Sequence, residues 1–339
     1  MELSKNDSKM LQGLSVLAML CLHLFDRSYV GLFTPIISIG GAPLSFYFAQ
    51  LSDFCVFGFA FLSGYAHMLQ HDTPGYYKRR LKGLLSLLCS YWLILVIFTL
   101  VSQVMGQSER MPGSLSKFVL NALLLENSYN GAWWYMFTYA VLVLLSPLVL
   151  KGVKRLHPLP VLAIGFAIYC AAYYVRFEMS ESNWLLEKLG PFGMTFFEYL
   201  LGALAWKCKV FTRLYDLWQR IPKVSRWALA VILLVGMLFV RTKVVPSLFV
   251  APITGFVVMT LFHFWHKPQA VQSTFLFVGK HSTNLWLTHM FFYLCLFTNL
   301  VYVAKYPLLI FVLMLVITLP LSMLLKLLEA PIQRRIAKN

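Results

Sequence analysis

Apolar residues run along this chain in blocks of about 17–25, each long enough to cross a roughly 30 Å hydrocarbon core as a helix. The blocks occupy residues 10–32, 44–70, 83–105, 132–150, 159–176, 192–208, 227–241, 246–265, 282–303 and 306–328. They predict an all-α fold, a polytopic membrane helix bundle of about ten transmembrane helices. Residues 113–126, GSLSKFVLNALLLE, are apolar on only part of their surface and too short to span, so they read as an interfacial or re-entrant segment. An eleventh span there would reverse everything downstream.

Basic residues orient the bundle. With the N-terminus inside, 21 of the 29 lysines and arginines fall in cytoplasmic loops, and the rest (Arg27, Arg110, Lys117, Arg176, Lys188, Arg241, Lys243, Lys305) fall outside. That asymmetry obeys the positive-inside rule and predicts N-in, C-in topology. Composition agrees: 59% of the 339 residues are hydrophobic, 12% are charged and the mean hydropathy is +0.71, whereas a soluble domain carries about a quarter charged residues. A net charge of +16 raises nucleic acid as a partner, but the cations sit in loop after loop on one membrane face, which orientation explains first. The six cysteines lie in or at the edge of spans without paired spacing, as apolar packing residues do, so neither disulfides nor a metal site is expected. MELSKNDSKM has no cleavable-signal pattern, so the first span is expected to remain as an anchor. With no repeat, low-complexity tract or appended soluble domain, the expectation is one domain over residues 1–339, integral to the cell (plasma or inner) membrane.

Ionisable groups inside spans are expensive, about 2.5–3.5 kcal/mol at a helix centre on insertion scales, so each is a functional candidate. His23 lies about 13 residues into its block, roughly 20 Å from the inner end and past the midplane. Asp53 lies near the middle of the next block, which makes a His–carboxylate pair geometrically possible. Such a pair would fix the imidazole tautomer and raise its basicity, as a general base for a hydroxyl nucleophile requires. The plainer alternative is that His23 bonds to a neighbouring helix and Asp53 caps a buried donor. Glu198 falls in the outer half of its block, within reach of an outer vestibule, and His289 lies inside 282–303. His67, His263 and His266 stand at span ends, where interfacial solvation suffices.

Three further stretches carry chemistry. YYKRRLKG, Tyr76 to Gly83, puts Lys78, Arg79, Arg80 and Lys82 together at the inner end of a span, as a cradle for a polyanion or as a contact for anionic lipid headgroups. GAWWYM places Trp133 and Trp134 at an outer span start, where aromatics form an interfacial belt and can also stack on a sugar ring. Within LQGLSVLAMLCLHLF, Gln12 and His23 stand eleven residues apart. That is about three turns and roughly 16 Å, so they share one helix face.

In this order the motifs resemble the acyltransferase-3 family of integral membrane acyltransferases. LQGLSVLAMLCLHLF is similar to its first span, an arginine followed eleven residues later by histidine, with Gln12 where the family has arginine. FGFAFLSGY, Phe57 to Tyr65, resembles its FF-x-SG-[YF] signature, KRRLK its basic motif and GAWWYM its tryptophan-rich span start. GKHSTNLWLTH, Gly279 to His289, resembles its late G-x-x-S-x-x-x-[YW]-L-x-H motif. In the family's R-x-x-R spacing, Arg79 pairs with Lys82, and Arg80 with Gly83.

The resemblance implies acyl transfer from a cytoplasmic acyl-CoA, with acetyl-CoA the expected donor and no metal, to a hydroxyl of a cell-surface or lipid-linked carbohydrate. It implies His23 as base or acyl relay, and the similar depth of Asp53 makes that carboxylate the candidate for orienting it. Arg79, Arg80 and Lys82 become donor-binding residues, joined by Ser282 and His289 as motif positions. Glu198, Trp133 and Trp134 are candidates for acceptor binding. Two other readings stay open: an exporter with His23, Asp53 and Glu198 as a proton relay, and a non-catalytic member in surface-polymer assembly.

Overall fold

Helix α1 (Lys5–Phe25) starts where Ser4 and Asp7 close a capping box: Ser4 Oγ accepts from the Asp7 amide at 3.1 Å and the Ser4 amide donates to Asp7 Oδ2 at 3.0 Å. The cap sets the start several residues before the apolar run, and the helix ends at Phe25. His23 therefore lies in the last turn of α1, further toward its end than the apolar block implied. The structure, a computed structural model, describes residues 2–26, 31–179, 183–245 and 247–338. Arg27, counted above as an outer charge, lies outside them.

In chain order the next helices are α2 (Leu44–Leu51), α3 (Cys55–Gln70), α4 (Tyr76–Val104), α5 (Leu115–Ala122), α6 (Trp134–Arg155), α7 (Pro158–Tyr174) and α8 (Trp184–Lys207). Then come α9 (Val210–Arg220), α10 (Lys223–Phe239), α11 (Ala251–Phe264), α12 (Gln269–Met290), α13 (Thr298–Tyr302) and α14 (Pro307–Lys338). Among the described residues the only strands are a hairpin pairing Ser38 with Pro43 and Ile39 with Ala42. Its tip, Gly40-Gly41, holds φ of +57° and +83°, a backbone that side chains rarely tolerate.

Among the described residues, seven helical stretches are long and apolar enough to cross a membrane: Lys5–Phe25, Leu44–Gln70, Tyr76–Val104, Gly131–Arg155, Pro158–Met179, Lys223–Val244 and Pro307–Lys338. The other three expected ranges hold α8, Leu248–Phe264 and α12, which are shorter or more polar. Segment 113–126 yields only α5, eight residues or about 12 Å of helix, too short to span.

The chain divides into two compact units. The first comprises Met1–Gly31, Pro35–Asp72 and Leu148–Ser282. Here α3 packs on α8, α7 on α8, and α1 on both α3 and the 3-10 turn Ser52–Phe54 that breaks the second span. Two crossings depend on glycine. A Cβ on Gly64 would strike the Tyr199 carbonyl, and one on Gly202 the Phe61 carbonyl, so α3 and α8 touch backbone to backbone. Gly13 and Gly279 do the same for α1 and α12, against the carbonyls of Phe275 and Lys9. Gly64 of the FGFAFLSGY motif and Gly279 of GKHSTNLWLTH are thus close-approach positions.

The second unit comprises Leu32–Thr34, Thr73–Pro147 and Thr283–Asn339. Its long helices α4 and α14 pack together, and Tyr91 Oη and Trp92 Nε1 of α4 donate to the carbonyls of Asn121 and Ala122, tying down α5.

Candidate functional site

Burying a carboxylate inside a bundle demands a cation or several donors. In the first unit Asp53 sits on the 3-10 turn Ser52–Phe54, 4% exposed, and Arg241 Nε donates to its Oδ2. Its other oxygen, Oδ1, has no hydrogen-bond partner. Glu198 of α8, also 4% exposed, lies within electrostatic range of Arg176 and Asp53, and its Oε2 is likewise unpartnered. Asp53, Arg241, Glu198 and Arg176 thus form a balanced cluster of two acids and two bases.

Both arginines stand on π-helical turns, Val175–Met179 and Val240–Val244, that finish α7 and α10. A π turn admits an extra residue and rotates the residues beyond it relative to the helical stripe, a distortion frequent at functional sites. The charge count above had placed both side chains in outer loops. A signal was available: two span-borne carboxylates need compensation, and these arginines end two spans.

His23 is half-buried at the end of α1, the helix that packs on the 3-10 turn carrying Asp53. Cys21 faces Ser52, and Gln50 Nε2 donates to Asp26. The hydrogen bond of the Asp53 carboxylate nevertheless goes to Arg241. At the other end of the polar stripe on α1, Lys9 Nζ donates to Gln12 Oε1 at 2.7 Å. A cation therefore stands beside the position at which the pattern has arginine.

Two span-end histidines depart from expectation. His67, 1% exposed, has Nδ1 3.0 Å from Tyr199 Oη, and His263, 3% exposed, faces Asp7 with Nδ1 3.6 Å from Oδ1. Helix packing, not interfacial water, surrounds them, whereas His266 is exposed.

In the second unit the basic motif opens α4. Arg79 donates to the Pro74 carbonyl and to Thr73 Oγ1, Arg80 lies over the Tyr76 ring at 5.9 Å, and Lys82 Nζ donates to the Ala337 carbonyl at 3.3 Å. Trp133 is buried, its Nε1 donating to the Leu287 carbonyl at 3.0 Å and its ring against Tyr91 and Phe291. Trp134 is the more accessible of the pair. His289 is fully buried, with Nδ1 2.7 Å from the Trp286 carbonyl and its ring stacked on Tyr293. Ser282 is buried on α12, one turn beyond Gly279.

Motif order, motif glycines and intramembrane charges all point one way, and the family model described as an acyltransferase domain matches residues 7–327, nearly the whole chain. The chain belongs to the acyltransferase-3 family. It is a membrane acyltransferase by family and by its long apolar helices. No curated protein and no solved structure matches it. In this acyltransferase the candidate positions form two sets: His23, Asp53, Glu198 and Ser282 in the first unit, and Arg79, Arg80, Lys82, Trp133, Trp134 and His289 in the second.

Proposed function

We propose that this acyltransferase moves an acyl group, acetyl in the first instance, from acyl-CoA on the cytoplasmic side to a hydroxyl of a cell-surface or lipid-linked carbohydrate. The observation that carries the reading is the acyltransferase-domain match over residues 7–327. Arg79, Arg80 and Lys82 hold the donor phosphates, for which guanidinium and ammonium groups are the natural partners. His23 takes the proton of the acceptor hydroxyl as its oxygen attacks the thioester carbonyl. The C–S bond breaks, coenzyme A leaves as the thiolate, and the proton passes to that sulfur. Asp53 Oδ1 and Glu198 Oε2 are buried acceptors without donors, and carbohydrate hydroxyls are donors of the right kind. Arg176 and Arg241 supply the opposite charges that burial of these carboxylates requires.

The Lys9–Gln12 pair favours an active enzyme over a non-catalytic member, because it returns a positive charge to the polar stripe that ends at His23. Transfer of radiolabelled acetyl from acetyl-CoA by membranes, wild type against His23→Ala, tests the reading. Loss of transfer in the variant is expected. Transfer that survives would remove His23 from the mechanism, and none from several acyl-CoA donors in wild type would discard the activity.

A further inference from the structure

Helices α4 and α14 run antiparallel in the second unit, since Lys82 meets Ala337 and, eight residues further along each helix, Ser90 faces Glu329. Eight residues are about 12 Å of helix. A polar lane therefore leads from the end of α4 that bears Arg79, Arg80 and Lys82 into the span. It is built of Ser90, Asn284, Ser322 and Glu329, all buried, and Gln333, whose Nε2 donates to Glu329 Oε2 at 3.3 Å.

Two donors along this lane also reach backbone carbonyls. Ser90 Oγ donates to the Ser86 carbonyl at 3.3 Å, and Asn284 Nδ2 to the Ser322 carbonyl at 3.5 Å. Glu329, 5% exposed, has Ser90, Asn284 and Gln333 as side-chain hydrogen-bonding neighbours of its carboxylate, while its Oε1 makes no bond of normal geometry. These neutral contacts supply no charge to match a buried carboxylate, and its free Oε1 suits a ligand that brings an N–H or O–H.

We propose that Glu329 is a donor-binding residue whose Oε1 accepts from an amide N–H of the pantetheine arm, with Ser90 and Asn284 lining the arm's path. This rests on the acyl-CoA reading above. The chemistry matches in order: the donor's phosphates precede two amides along one extended arm, as the basic cluster precedes the buried acceptor along α4 and α14.

The test is thermal stabilisation of the purified full chain, in detergent free of ethanolamine lipid so that no headgroup amine competes. Coenzyme A is titrated against adenosine 3′,5′-bisphosphate, which carries phosphates without the arm. Glu329→Leu, similar in volume and without an acceptor, is expected to weaken coenzyme A about tenfold and leave the bisphosphate unchanged. Glu329→Gln, which keeps an acceptor oxygen, falls between. Equal coenzyme A affinity in wild type and Glu329→Leu, or equal weakening of both ligands, would overturn the assignment while leaving the donor reading intact. Wild type that coenzyme A does not stabilise would overturn both.

Discussion

The two units bury carboxylates in opposite ways. In the first, Asp53 and Glu198 are matched by Arg241 and Arg176, four charges drawn from four separate segments of the chain. In the second, Glu329 is faced by Ser90, Asn284 and Gln333, with Lys326 one turn away on its own helix. A charge-balanced cluster offsets the cost of burying its groups and fixes its helices in register. A carboxylate among neutral donors is held loosely and is free to exchange them for a ligand. The difference teaches that an unpartnered oxygen has two settings: in the cluster it belongs to an ion fixed by a neighbouring guanidinium, and in the lane to one hydrogen-bonded to neutral groups alone.

The sharpest break of this contrast is Arg241→Ala. It strands Asp53 in a buried site and is expected to cost about 3–5 kcal/mol, read as a fall in the unfolding midpoint of the solubilised protein. Asp53→Asn combined with Arg241→Gln should recover most of the loss. An Arg241→Ala protein as stable as wild type would show that the pair is solvated. Glu329→Leu, by contrast, is expected to leave the midpoint unchanged or raised in the absence of ligand.

Comparable is the effect of Gly64→Leu, whose Cβ alone would overlap the Tyr199 carbonyl and force α3 from α8, at or above about 3 kcal/mol, the upper end of ordinary overpacking. Gly83→Leu on α4, where an added Cβ meets nothing within 4 Å, is the matched control and should not destabilise. Lys9→Ala is expected to lower acetyl transfer about tenfold with the fold intact, as loss of one charged hydrogen bond implies. Gln12→Arg in that background should restore transfer, and no rescue would mean that charge on this stripe is not what matters.

The smallest effect belongs to Asp72, exposed between α3 and α4. Lys154, with Nζ 2.6 Å from Oδ2, and then His71 hold its carboxyl below the usual carboxylate range. A lowered value means that the contact is present at neutral pH and is lost only as pH falls through that lowered value. Lys154→Ala should move the Asp72 titration, monitored by NMR, back toward the ordinary value. The unfolding midpoint at neutral pH should stay within error, because exposed pairs contribute little.

Seven of the ten expected spans match helices long and apolar enough to cross a membrane among the described residues, because lipid imposes a length and an apolarity that are written locally. The limits of α1 were less legible. A capping box at Ser4 and Asp7, outside the apolar run, decided where it begins, and its end at Phe25 puts His23 in the last turn. Asp53 and Glu198 were legible as rare charges in apolar runs. Arg176 and Arg241 were not, because a cation at a span end looks the same whether it points to water or turns inward on a π-helical turn.

The sequence by itself determined that this is a helical membrane protein of the acyltransferase-3 family, and it marked His23, the basic motif and the glycine-bearing motifs as candidates. Those signals are local: apolar run length, residue type and short spacing. Tertiary structure alone decided that the motif glycines are backbone contacts, that Asp53 is bound to Arg241, and that Glu329 lies on a polar lane. Each of these depends on which helix faces which, and on the bend or π turn that aims a side chain. Contacts between residues as far apart in the chain as Asp53 and Arg241 leave no trace in the spacing along it.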